Sequence, residues 1–257
     1  MKLHAFNTFF SKKIAYLLWL LFLLYSGRSM AANSWYLVDN YEGFIGKYAV
    51  HLSIQSYDFG EKNKIEGSYY YNKYNSPIAL YGRQIANEII LCEASELSDL
   101  EKYTMEGERY DLNLCPFRMQ KNDANLSGIW KRGDAKLDVK LTYASSIVQN
   151  KIVSDKGYVE IPFWGQSKRH AFIGIYEAGD DGVLINKIRV IEKKSGQTIQ
   201  TLNPQSARCN FGFYMTSIYQ NLVRFNDSSI LLTCYSTKGD IDVEYKYHKG
   251  AFIKTQE

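Results

Sequence analysis

The chain has 257 residues, with 31 Lys and Arg against 27 Asp and Glu, 21 Tyr and only 4 Pro. Four of the bases, Lys2, Lys12, Lys13 and Arg28, fall in the first 32 residues, which hold no acid; with those four removed, 27 bases face 27 acids. A formally neutral remainder lacks the electrostatic footprint of a nucleic-acid binder, and its length allows one large or two small domains with a real core.

In chain order, Lys12 and Lys13 precede an apolar run over 14–25, and small residues follow around Ala31 and Ala32. This is the layout of a secretory signal peptide (1–32) cleaved after Ala31 or Ala32. The run is shorter than the roughly 20 residues that a spanning helix needs, so no stable membrane anchor is expected after cleavage. The expected location is periplasmic or secreted.

From 44 to 93 come four strand-like runs, FIGKYAVHLSI, KIEGSYYYNKY, SPIALYGRQI and NEIILCE. In the first, Tyr48, Val50, Leu52 and Ile54 alternate with Lys47, His51 and Ser53, the period of a half-buried strand. Three more candidates follow, ERYDLNLCPFRM, ANLSGIWKRG and AKLDVKLTYA; in the last, Leu137, Val139, Leu141 and Tyr143 alternate with Lys136, Asp138, Lys140 and Thr142. Seven strands in meander order between 44 and 143 predict a small antiparallel barrel or a strongly bent sheet. The polar stretch 145–157 is the expected boundary between an N-terminal antiparallel β domain (33–145) and a C-terminal β-rich domain (146–257). The second half again reads as strands, with turns at Asp181-Gly182, Ser195-Gly196 and Lys238-Gly239. Its one helix-like patch, 211–225, could equally be two strands. The fold class is therefore all-β.

Cys92, Cys115, Cys209 and Cys234 make an even number in an exported chain, which implies disulfides with three possible connectivities. The local pairs Cys92–Cys115 and Cys209–Cys234 are favoured, since each falls within one half. A four-cysteine zinc site needs close spacing that is absent.

The first half also resembles an exported bacterial β-rich module of mostly unassigned function. The resemblance lies in Ile45-Gly46-Lys47-Tyr48, Ile65-Glu66-Gly67-Ser68-Tyr69-Tyr70-Tyr71, Pro77-Ile78-Ala79-Leu80-Tyr81-Gly82, Ile89-Ile90-Leu91-Cys92-Glu93 and Gly128-Ile129-Trp130. It implies an antiparallel β module and transfers no active site; Cys92 departs from the pattern.

No catalytic or metal constellation emerges, and no cofactor is implied. His51, His170 and His248 lie far apart in sequence, without zinc-hydrolase spacing. Gly165-Gln166-Ser167-Lys168-Arg169 is an incomplete nucleophile elbow, better read as a basic loop after Trp164. Glu177 with Asp180 or Asp181 lacks the alternating oxygens of a calcium loop.

Two surfaces remain. Between Cys92 and Cys115, acids including Glu93, Glu96, Asp99, Glu101, Glu106 and Glu108 outnumber Lys102 and Arg109, which suits a cationic protein partner. The tyrosines 69–71, with Tyr74 and Tyr81, place at least one ring, such as Tyr70, on an outer face. The expected function is a periplasmic, non-enzymatic protein-binding protein, an inhibitor or immunity protein against a toxin or lysozyme-like envelope enzyme. Its partner contacts would be Glu96, Asp99, Glu101, Glu106, Glu108 and Tyr70. The alternatives are a carbohydrate or small-ligand module sensitive at Tyr70 or Trp130, and a hydrolase of unrecognised type using Ser167 or His170.

Overall fold

The run FIGKYAVHLSI is not one strand. Gly46, at φ 59°, turns the chain in the left-handed region that glycine enters without steric cost. Strand β1 (Tyr36–Ile45) therefore ends before it, and β2 (Tyr48–Tyr57) begins after Lys47. A computed structural model describes residues 36–57, 63–105, 109–149, 151–179, 182–207, 217–226, 228–234 and 240–255. The expected signal segment and the expected turn at Lys238-Gly239 lie outside these.

The meander continues through β3 (Lys64–Tyr71), β4 (Ile78–Ile85), β5 (Glu88–Glu93), β6 (Phe117–Asn122), β7 (Asn125–Arg132) and β8 (Ala135–Val148). Each strand pairs antiparallel with the next, and β8 returns to pair with β1 (Phe44↔Lys140, Val38↔Ile147), so eight strands close on themselves. The expectation of seven strands has no separate β1. Closure removes the sheet edges. It also needs close backbone approach: a Cβ on Gly128 would run into the carbonyl of Arg118 on β6.

The alternating positions fill the interior. Val50, Leu52 and Ile54 of β2 meet Tyr41, Tyr69, Leu80, Leu91, Phe117, Met119, Val139 and Leu141, all at most 5% exposed. Each such side chain contributes about 1.5–3 kcal/mol by leaving water. On β8 the alternation emerges as expected, with Lys136, Asp138, Lys140 and Thr142 exposed between inward residues. On β2 it does not: His51, Ser53 and Gln55 face outward, yet all are buried, because the second half of the chain covers that wall.

The expected boundary at 145/146 falls inside β8, whose tail pairs with β9 (Lys151–Ser154). The change of sheet comes after β9. One four-stranded sheet runs β10 (Tyr158–Pro162), β11 (His170–Gly179), β12 (Gly182–Glu192) and β13 (Gln197–Leu202). A second runs β14 (Leu222–Asn226), β15 (Ser229–Cys234), β16 (Ile241–His248) and β17 (Ala251–Lys254). Ala171, Ile173 and Ile191 of the first sheet pack on Tyr70 of the barrel wall. Its other face, including Phe172 and Val190, joins Leu232 and Phe252 of the second sheet. Ser34–Glu257 is one compact unit. Of the helix-like patch, residues 211–216 lie outside the described ones; the remainder forms a 3-10 turn (Ile218–Gln220) and most of β14.

The barrel-to-sheet seam is polar, and several of its buried groups pair across it. Ser53 Oγ lies 2.9 Å from Tyr219 Oη, and Gln55 Oε1 accepts the Ile218 amide at 2.8 Å. Trp164 Nε1 donates to the Gly67 carbonyl at 2.7 Å. His51 Nδ1 sits 2.8 Å from Glu42 Oε1, and its ring stacks on Tyr70.

Candidate functional site

The register of β5 on β6, with Leu91 opposite Phe117, brings the ends of the intervening loop together. Cys92 and Cys115 are disulfide-bonded there, as expected from their spacing. Cys234 is also disulfide-bonded, whereas its expected partner Cys209 lies outside the described residues. The bond is compatible with an oxidising, extracytoplasmic compartment.

Loop and barrel wall enclose a cleft of about 950 Å³, within the range of small-ligand sites. One side is aromatic. Tyr81 of β4 stacks on Tyr103 with centroids 4.8 Å apart, and Tyr110 meets both edge-on. Burial first, then Tyr103, Asp99 and Tyr110, pushes the Tyr81 hydroxyl up to about 12, so it remains a neutral donor. Arg118 crosses the loop base, donating to the Leu112 carbonyl at 3.2 Å and lying 3.7 Å from Glu88.

The other side is cationic. Among the described residues, Arg109, Arg118, Lys131 and Arg132 line the cleft with Glu93 and Asp111 as its acids. Glu93 points into the barrel end and accepts Tyr69 Oη at 2.7 Å, Trp130 Nε1 at 2.8 Å and Arg132 at 2.7 Å. Asp111 Oδ1 accepts the Asn113 amide in a 3-10 turn. Arg109 and Lys131 form no ion pair among the described residues.

The residues expected to touch a partner distribute unevenly. Glu96 and Glu101 are exposed, and Asp99 is half-buried with its carboxylate accepting the Glu96 amide at 3.2 Å. Glu106 and Glu108 lie outside the described residues. Tyr70 has the predicted outward parity but is buried, its hydroxyl donating to Glu160 Oε2 at 2.9 Å. Trp130 is half-buried and hydrogen-bonded to Glu93. Sequence reasoning misses the cleft's cations because they come from the loop, β6 and β7, and Arg109 reads there as a minority charge in an acidic loop.

The two residues of the hydrolase reading do meet. Ser167 Oγ lies 3.3 Å from His170 Nδ1 in the loop between β10 and β11. The same oxygen accepts the amides of Arg169 at 3.3 Å and His170 at 2.9 Å. A hydroxyl so engaged caps a turn, and its lone pairs are directed at the protein's own backbone.

Fold and cleft define a closed antiparallel β-barrel bearing two further sheets, with a disulfide-fenced cleft on the barrel wall. Compared with protein-family models, curated proteins and solved structures, the chain has no match.

Proposed function

We propose that this is an exported, non-enzymatic binding protein whose site is the cleft beneath the Cys92–Cys115 loop, and that its ligand is a carboxylate-bearing saccharide. The observation that carries the reading is the pairing of a tyrosine wall, Tyr81 with Tyr103 and Tyr110, with two cations, Arg109 and Lys131, that have no ion-pair partner among the described residues. Tyrosine faces suit sugar rings and supply contact area at low entropic cost; Arg109 and Lys131, both exposed beside that wall, can offer charge-assisted hydrogen bonds to an anionic group. The test is calorimetry with trigalacturonate against neutral maltotriose. The acidic trisaccharide should bind, and Arg109→Gln with Lys131→Gln should weaken it about tenfold. Equal binding of both sugars, or of neither, overturns the reading.

A second reading, a protein partner of basic charge, rests on Glu96 and Glu101, both exposed on a loop anchored at its two ends. It predicts capture of a basic envelope enzyme that is lost on Glu96→Lys with Glu101→Lys. Capture unaffected by these reversals removes the loop from the interface.

A further inference from the structure

A second, smaller cleft lies on the far sheets, away from the disulfide loop. Its volume is about 230 Å³, and it is lined by Ser167, Arg169, His170, Ser229, Tyr247 and, at the rim, Lys168. That size falls below the roughly 300–1,000 Å³ of drug-sized ligands and suits a single small group.

Its donors are arranged for an anion. Ser229 is 2% exposed, and its hydroxyl has no hydrogen-bond partner among the described residues, an arrangement that costs free energy when nothing fills it. His170 is 5% exposed and held between Tyr247 and Phe252, with ring centroids at 4.8 and 5.3 Å. Ser167 Oγ already accepts two amides, so its proton is free to donate to His170 Nδ1 at 3.3 Å; in that tautomer the neutral ring offers Nε2–H as a further donor. Lys168 and Arg169 are exposed at the rim. They and neighbouring Lys193, whose amide donates to the Arg169 carbonyl at 2.9 Å, form no ion pair among the described residues. One acid opposes them: Glu192, opposite His170 in the β11–β12 register, keeps its charge near that ring while accepting Ser195 Oγ at 2.7 Å. Burial first, then Arg224, holds the Lys193 ammonium below its ordinary value.

We propose that this cleft binds a phosphoryl group, as free phosphate or as a phosphomonoester. A tetrahedral oxyanion can accept from the Ser229 hydroxyl and the His170 ring while its charge meets Lys168 and Arg169, using donors from separate directions as such anions require. It would satisfy the stranded hydroxyl and neutralise the rim in one step.

The test follows the His170 ring signals by NMR in the disulfide-intact protein, titrated with inorganic phosphate, with glucose 6-phosphate, and with chloride at matched ionic strength. Saturable shifts with either phosphate compound, absent with chloride, are expected; which of the two binds more tightly distinguishes the free ion from the ester. Ser229→Ala should weaken binding several-fold. Lys168→Gln with Arg169→Gln, both at exposed positions, should weaken it about tenfold. The proposal is overturned if phosphate moves the His170 signals no more than chloride does, or if the shifts survive the double substitution unchanged.

Discussion

Tyr70 on β3 of the barrel donates its hydroxyl to Glu160 Oε2 on β10 at 2.9 Å, across the seam between barrel and sheets. The same carboxylate oxygen takes Arg189 of β12 at 2.6 Å, and the Glu160 carbonyl accepts Asn40 Nδ2 of β1 at 2.7 Å. Glu160 is thus the node that ties the two halves of the chain. Tyr70→Phe should destabilise by about 2 kcal/mol, a hydrogen bond to a charged group. Glu160→Ala, which strands Arg189, should cost about 3 kcal/mol or more. Denaturant midpoints for the two variants check the order; equal effects would remove Arg189 from the account.

The barrel end is closed by another carboxylate. Because Glu93 gathers Tyr69, Trp130 and Arg132, Glu93→Ala leaves three donors without their acceptor and should cost about 3 kcal/mol. Glu93→Gln keeps one carbonyl oxygen and should cost less. Tryptophan emission reports the loss, since Trp130 exchanges a charged partner for water.

Removing the Cys92–Cys115 bond by replacing both residues with Ser frees a loop with a sequence separation of 23. The unfolded chain gains entropy equivalent to about 3 kcal/mol, measurable as a lower denaturation midpoint. Affinity at the cleft should fall as well, because Tyr103 and Tyr110 are no longer held against Tyr81. Retained affinity would mean that the loop is positioned by its aromatic contacts alone.

Alkaline pH should unfold the protein. Burial foremost, then Asp39, Glu66 and Glu93 respectively, raises the hydroxyls of Tyr41, Tyr57 and Tyr69 far above 10.0, while Tyr81 moves up to about 12. The folded state keeps these protons where the unfolded state releases them, so their stabilisation is fully present below about pH 10. It is lost progressively from about pH 10 upward, until about pH 12 for Tyr81 and further for the others, at up to about 1.4 kcal/mol per pH unit for each of Tyr41, Tyr57 and Tyr69 and less for Tyr81. Denaturation midpoints recorded from neutral to about pH 11 should stay level and then drop; a flat profile would contradict the burial of these hydroxyls.

The legible part of the sequence was local. Period two on β8 gave the correct inward set of Leu137, Val139 and Leu141, and a spacing of 23 residues gave the Cys92–Cys115 pair. The hairpin within FIGKYAVHLSI is signalled by Gly46 yet hidden in the pattern, because the flanking residues alternate on both sides of it.

Some things the sequence alone determined: the all-β class, meander order and one staple stem from side-chain alternation, turn residues and short separations, which act between near neighbours. Tertiary structure alone decided which polar faces meet water. His51 and Ser53 fall on the polar side of the sequence pattern, but the Ser53 hydroxyl is buried against Tyr219, 166 positions away, and no local pattern distinguishes that partner from solvent. The cleft has the same origin: closing the barrel brings Tyr81 and Lys131, from different strands, beside Tyr103 and Arg109 of the stapled loop. Their charges and rings come to share one cleft only through that closure.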